Sequence, residues 1–135
     1  MAWNNYYRRG RGAEGKYHNH KIERDGEKFD STKEYRRWCE LKIMERAGMI
    51  HGLTRQKKFV LIPAQREPDT VGKRGGIKKG KLLEHECAYY CDFYYYTKEG
   101  EAVVEDVKSE ATKTPQYLIK RKLMLKEYGI QIKEI

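Results

Sequence analysis

The apolar positions of this chain change their period several times, and each change marks an element. In "YHNHKIERDGEKF", residues 17 to 29, apolar and polar side chains alternate around Asp25-Gly26, a dipeptide suited to a tight hairpin turn. The period then lengthens. In "DSTKEYRRWCELKIMERAG", Glu34 precedes Trp38 by four residues and Leu41 by seven, so all three share one helical face. Ser31 and Glu34 have capping-box spacing, and Gly48 supplies the stop. "KKFVLIPA" reads as a strand, and "LLEHECAYYCDFYYYT" as a long tyrosine-rich one whose partner is "EAVVEDVK". Residues 64 to 81 lie between the first two and read as a glycine-containing loop. Thr114-Pro115 opens a second helix as cap and first-turn proline. Its apolar stripe is Tyr117, Leu118, Met124, Leu125 and Tyr128, and Gly129 ends it before a last strand, "IQIKEI". After the hairpin the order is helix, three strands, helix, strand. That predicts an α/β or α+β domain, a sheet with helices packed on it.

Composition narrows the partners. The 135 residues include 29 Lys+Arg against 20 Asp+Glu, a formal net charge of +9. Clustered positive charge predicts a polyanionic partner, most simply nucleic acid. Residues 1 to 16 form a basic, aromatic arm, and residues 17 to 135 a single domain. No apolar run approaches the roughly 20 residues of a membrane span. The opening residues lack the apolar core of a secretory signal, so a cytoplasmic location is expected. Three cysteines argue against a disulfide framework. Cys87 and Cys91, four apart on a strand, are spaced too widely for two ligands of one zinc ion and read as small packed residues.

The acids carry the chemistry. An acid two residues before a lysine occurs at Glu14-Gly-Lys16, Glu40-Leu-Lys42 and Asp106-Val-Lys108. Only the last lies on a strand, where the two side chains share a face. A three-residue turn at Lys98-Glu99-Gly100 would make Thr97 face Glu101. Counting outward then sets Asp92 opposite Asp106, with their Cβ atoms about 5 Å apart. Lys108 falls on the same face, and Glu105 on the other, opposite Phe93. Opposed carboxylates repel unless something compensates. A divalent cation would do so, and so would Lys108 alone in a structural salt-bridge cluster. Glu34 offers a third acid from the helix, or serves only as its capping glutamate.

With Glu34 on the first helix, Asp92 closing one strand and Asp106-Val107-Lys108 on the next, the chain resembles the PD-(D/E)XK nuclease superfamily. "FDSTKE", "CDFYYY" and "VVEDVKS" also look like a family of small phage-encoded proteins assigned to it. The early glutamate resembles the Holliday-junction-resolvase branch. The resemblance spans residues 16 to 135. It departs from the pattern at Cys91, where a proline is usual. It implies a restriction-endonuclease-like core of order α-β-β-β-α-β, with a mixed sheet flanked by helices. It also implies metal-dependent hydrolysis of DNA. Asp92 and Asp106 would hold magnesium or manganese with the carbonyl of Val107, and Glu34 would complete the shell directly or through water. Lys108 would orient or deprotonate the attacking water. Four-way junctions and a homodimer are the expected substrate and assembly. Arg8, Arg9 and Arg11, the loop cations Lys73, Arg74, Lys78, Lys79 and Lys81, and Lys113, Lys120 and Arg121 around the second helix become candidate DNA contacts. Arg121 is expected to reach inward toward the site. The tyrosine cluster reads as packing. The rivals are a non-catalytic nucleic-acid-binding module in which the acids and Lys108 are structural, and another nuclease of the same superfamily, of restriction, nicking or repair type.

Overall fold

The computed structural model describes residues 21–135. The basic arm with Arg8, Arg9 and Arg11 lies outside the described residues, as do His18 and His20. The described residues form a mixed α+β domain with two α-helices, several small sheets and one mixed four-stranded sheet. Among the described residues no helix is long and apolar enough to cross a membrane.

Strands β1 (Ile22–Arg24) and β2 (Glu27–Phe29) form the expected hairpin. Asp25 and Gly26 take φ values of 54° and 77°, as a turn matched to strand twist demands. Helix α1 (Thr32–Arg46) starts at Ser31, whose Oγ accepts the Glu34 N–H at 3.1 Å. Past its end Gly48 adopts φ 72°. Helix α2 (Pro115–Tyr128) is capped by Thr114 and ended by Gly129 in the left-handed conformation. Of its proposed stripe, Tyr117 and Met124 are buried, whereas Leu125 and Tyr128 are exposed.

Between the helices the chain makes one long antiparallel ribbon. Its outgoing strand runs through β3 (Ile50–Arg55), β4 (Lys58–Ile62), β5 (Gln65–Arg66) and β6 (Thr70–Val71). Its return runs through β7 (Ile77–Lys78), β8 (Leu82–Glu84), β9 (Cys87–Tyr90) and β10 (Phe93–Thr97). Arg55 faces Phe93, Lys58 faces Tyr90, Gln65 faces Glu84 and Val71 faces Ile77. Three sequence expectations change here. The first strand begins at Ile50 rather than at Lys57. Residues 64 to 81 are not a loop but the outer half of the ribbon. It showed no apolar period because neither of its faces is buried, and backbone hydrogen bonds alone define it. The long tyrosine strand is interrupted at Cys91 and Asp92, level with an interruption at Gln56 and Lys57. Gln56 there adopts φ 54°, a left-handed conformation unusual for its type. The Gln56 N–H donates to the Asp92 carbonyl at 3.3 Å, and the Cys91 N–H donates to the Lys57 carbonyl at 3.1 Å. The register survives this break, so the ribbon bends without slipping.

The mixed sheet has the order β12-β11-β10-β3, with β11 (Ala102–Asp106) antiparallel to β10 and parallel to β12 (Lys133–Glu134). Phe93 and Tyr95 pack with Leu41 of α1, while Tyr94 and Val104 pack with Tyr117 and Met124 of α2. Because strand side chains alternate, the helices lie on opposite faces of the sheet. Cys91 is fully buried and Cys87 packs against the same cluster.

One buried ion pair ties α1 to this sheet. Glu105, fully buried, accepts two hydrogen bonds from Arg37, at 2.8 and 2.6 Å, and one from the Tyr95 hydroxyl at 2.6 Å. Burial alone would raise its carboxyl, yet these donors overcome that and hold it below the usual carboxylate range. Removing one partner strands the other charge, so Arg37→Ala should cost about 3–5 kcal/mol in urea unfolding. A cost below about 1 kcal/mol, the level of an exposed pair, would contradict this role.

Candidate active site

Beta-strand register brings the two aspartates together. The turn at residues 98–100 has the expected geometry: the Thr97 N–H donates to the Glu101 carbonyl at 2.8 Å, and Gly100 takes φ 87°. Phe93 therefore faces Glu105, and the next pair outward is Asp92 and Asp106. Both lie where β10 and β11 run out at one end of the sheet. Asp92 Oδ2 accepts the Val107 N–H at 2.7 Å. Asp106 Oδ2 accepts the Tyr89 hydroxyl at 2.9 Å and pairs with Lys108 Nζ at 3.2 Å. Lys108 is itself anchored, its N–H donating to the Ile135 carbonyl at 3.2 Å and its ammonium standing 4.5 Å from the centre of the Tyr117 ring. Glu105 points to the other face, as its register demands.

The pair is electrostatically strained. Burial pushes the Asp92 carboxyl up to about 8, the neighbouring Asp106 adds to the rise, and the Val107 N–H opposes it. The Tyr89 hydroxyl is raised far above its ordinary value by burial and by Asp106, so it stays a donor.

Glu34 enters from the first turn of α1 and is only 3% exposed. Its Oε2 accepts the Asp30 N–H at 2.8 Å, not the Ser31 N–H that a standard capping box would use. The chain turns one residue earlier than that motif assumes. Its Oε1 accepts from Arg55 Nη2 at 3.3 Å. Sequence reasoning missed Arg55, because residues 50 to 55 carried no assigned element. Its guanidinium lies 3.9 Å from the centre of the Phe29 ring, donates to the Lys28 carbonyl at 2.7 Å and pairs with Glu27 at 3.2 Å. Its Nε is buried without a partner.

Asp30, Ser31, Glu34, Asp92, Val107, Lys108 and Thr112 line a pocket of about 170 Å³. Lys108 also borders a second opening, with Tyr89, Asp106 and Lys120. Hard carboxylate oxygens, two of them in strained proximity, suit magnesium or manganese by donor chemistry. Among the described residues, however, no three His, Cys, Asp or Glu side chains are already grouped as a metal shell. Glu34 is engaged by Arg55 and by the Asp30 N–H instead.

The remaining basic candidates separate. Lys120 sits at the site's second opening. Arg121 and Lys113 do not turn to the aspartates. Both pair with Glu134 of β12, at 2.6 and 2.9 Å, and together hold its carboxyl down at about 2. They brace α2 against the last strand, since the helix face carrying Arg121 looks onto β12. Lys73, Arg74, Lys78, Lys79 and Lys81 are exposed on the outer ribbon. Tyr89, Tyr94 and Tyr95 are buried, in keeping with packing, while Tyr90 is exposed.

The strain at Asp92 has a measurable sign. Its carboxyl titrates near 8 in the folded chain and near 4 when unfolded. The folded state therefore holds the extra proton between those values, and stability falls as pH rises through that window. Asp92→Asn removes the penalty and keeps an acceptor for the Val107 N–H. In chelator at pH 8 its thermal midpoint should exceed the parent's by roughly 3–5 °C, about 1 kcal/mol for a domain of this size. The gap should close toward pH 4. Parallel pH profiles would contradict the assignment.

No curated protein and no solved structure matches the chain. Residues 14–134 match a family described as DUF1064, a protein of unknown function. With nearly its whole length covered, the chain belongs to that family.

Proposed function

We propose that this protein is a metal-dependent endonuclease that hydrolyses phosphodiester bonds in DNA. The observation that carries this reading is the opposed Asp92–Asp106 pair, half-buried and buried, in which Lys108 pairs with Asp106 and Asp92 is left raised. Glu105 shows what a structural acid in this fold looks like: three donors satisfy it and its carboxyl is lowered. Asp92 is raised instead. Perturbation of this kind in a cleft is typical of working sites. With β4 to β9 set aside, the elements α1, β3, β10, β11, α2 and β12 follow the helix, three strands, helix, strand order expected from the resemblance, which supports the reading.

In this reading Asp92 and Asp106 would hold the ion, and Glu34, now paired with Arg55, would be the third acid available to it. A divalent cation bound there supplies Lewis-acid polarisation of water and neutralises charge on the phosphate. Lys108 would orient the attacking water as a hydrogen-bond donor, from a position fixed by Asp106 and the Tyr117 ring. Tyr89 holds Asp106 in place through its hydroxyl. Lys120 at the rim offers a cation to a neighbouring phosphate. Four-way junctions as preferred substrate and a twofold homodimer follow from the likeness to resolvases. The alternative is a non-catalytic DNA-binding module, favoured by the Lys108–Asp106 ion pair, which already offsets one of the two aspartates.

Labelled four-way junctions and matched linear duplexes, incubated with and without magnesium, separate the two readings. Cleavage should require magnesium, and Asp106→Asn should reduce it by more than about 100-fold. Undiminished cutting by that variant would refute the site.

Glu34 has a test of its own. Glu34→Gln keeps an acceptor for the Asp30 N–H but is a poor ligand for a hard cation. It should lose most cleavage while remaining folded by circular dichroism. Ser31→Ala should do the reverse, losing about 1 kcal/mol of stability and little activity. A Glu34→Gln protein that cuts like the parent would leave Glu34 as cap and Arg55 partner only.

A further inference from the structure

The outer ribbon has no core beneath it. From Ile62 and Cys87 to its tip it runs for up to roughly 30 Å. A lone two-stranded ribbon is marginal in water, yet this one is specifically built. The Glu67 N–H donates to the Lys81 carbonyl at 2.9 Å, and the Gly80 N–H to Asp69 Oδ1, also at 2.9 Å. Any side chain at Gly80 would collide with the Glu67 backbone, since a Cβ there would lie 1.7 Å from its carbonyl oxygen. At the far end the chain turns through Gly72 to Gly76, with the Gly72 N–H donating to the Gly76 carbonyl at 2.7 Å.

Two features of the tip point to its partner. Residues 70 to 81 contain five cations, Lys73, Arg74, Lys78, Lys79 and Lys81, and no acid. Beside them Val71 and Ile77 face each other across the ribbon and are 77% and 82% exposed. Pairing with the same segment of a second copy would oppose five cations to five more. Duplex DNA instead meets both features. Its phosphates neutralise the cations, and its major groove, about 12 Å wide, admits a two-stranded ribbon and offers thymine methyl groups to apolar side chains.

We propose that residues 65–84 form a DNA-binding arm whose tip enters the major groove of duplex DNA flanking the site. This rests on the reading of the protein as one that acts on DNA, but not on cleavage. Asp92 lies fifteen residues along the same strand from Ile77, up to roughly 50 Å of contour, so the arm reaches beyond one helical turn of about 34 Å.

Binding to a linear duplex of about 30 base pairs, three helical turns, tests the arm. The measurement is fluorescence anisotropy in chelator, so that cleavage plays no part. The first variant changes Lys73, Arg74, Lys78, Lys79 and Lys81 to Gln. A second removes the arm bodily by joining Gln65 to Glu84 through Asn-Gly, a turn suited to that pair. A control changes the exposed Arg46, Lys98 and Lys126 to Gln. Both arm variants should bind at least about tenfold more weakly at physiological salt, with a salt slope smaller by about 3–4. The control should bind nearly as the parent does. Methylation of guanine N7 should be blocked by the parent at sites that the arm variants leave open. Unchanged affinity and salt slope in the arm variants would overturn the proposal. So would a loss of self-association with unaltered DNA affinity, which would assign the arm to a second copy. Arm-dependent binding without any magnesium-dependent cleavage would instead refute the nuclease reading and leave the arm standing.

Discussion

The ladder between β10 and β11 sets two carboxyl groups against each other at one end of the sheet, and the rest of the site is arranged around the cost of ionising both. Asp92 and Asp106 are consecutive with the Phe93–Glu105 pair, so separating them takes a register slip that would exchange the residues β10 presents to α1 and to α2. The bend at Gln56 and Asp92 ends the ladder there without breaking the register. It frees the Asp92 carboxylate to take the Val107 N–H rather than continue a strand. Tyr89 and Lys108 then close on Asp106 from the side of α2.

Glu105 and Asp106 are adjacent and equally buried, but the sheet gives them opposite environments. Glu105 faces α1, where Arg37 and Tyr95 satisfy it and lock the helix to the sheet. Asp106 faces the site, where Lys108 pairs with it and Asp92 has only the Val107 N–H. Arg55 adds a further constraint, because its guanidinium is committed to Glu34, Glu27 and the Lys28 carbonyl. In the proposed mechanism the Arg55 pair is the contact that Glu34 would have to give up to serve as a ligand.

Where local chemistry decides structure, the sequence was readable. Asp25-Gly26, Ser31, Gly48, Thr114-Pro115 and Gly129 each mark an element boundary through a specific backbone requirement. The Lys98-Glu99-Gly100 turn sufficed to set Asp92 against Asp106. What stayed hidden depended on burial or on distant partners. Residues 50 to 55 are half polar because β3 is an edge strand, and with them went Arg55. The outer ribbon carries no apolar alternation because nothing among the described residues covers it. Arg121 and Lys113 resembled DNA contacts because Glu134, which claims both, arrives from the end of the chain.

Metal binding at the strained pair tests the central claim most directly. Thermal unfolding of the parent and of Asp106→Asn should be compared with and without millimolar manganese. An ion that binds only the folded state at about 100 times its dissociation constant adds about 2.7 kcal/mol. The parent should therefore melt several degrees higher with manganese, and the Asp106→Asn protein should not respond. Equal responses of the two proteins, or none in either, would contradict a metal site at Asp92 and Asp106.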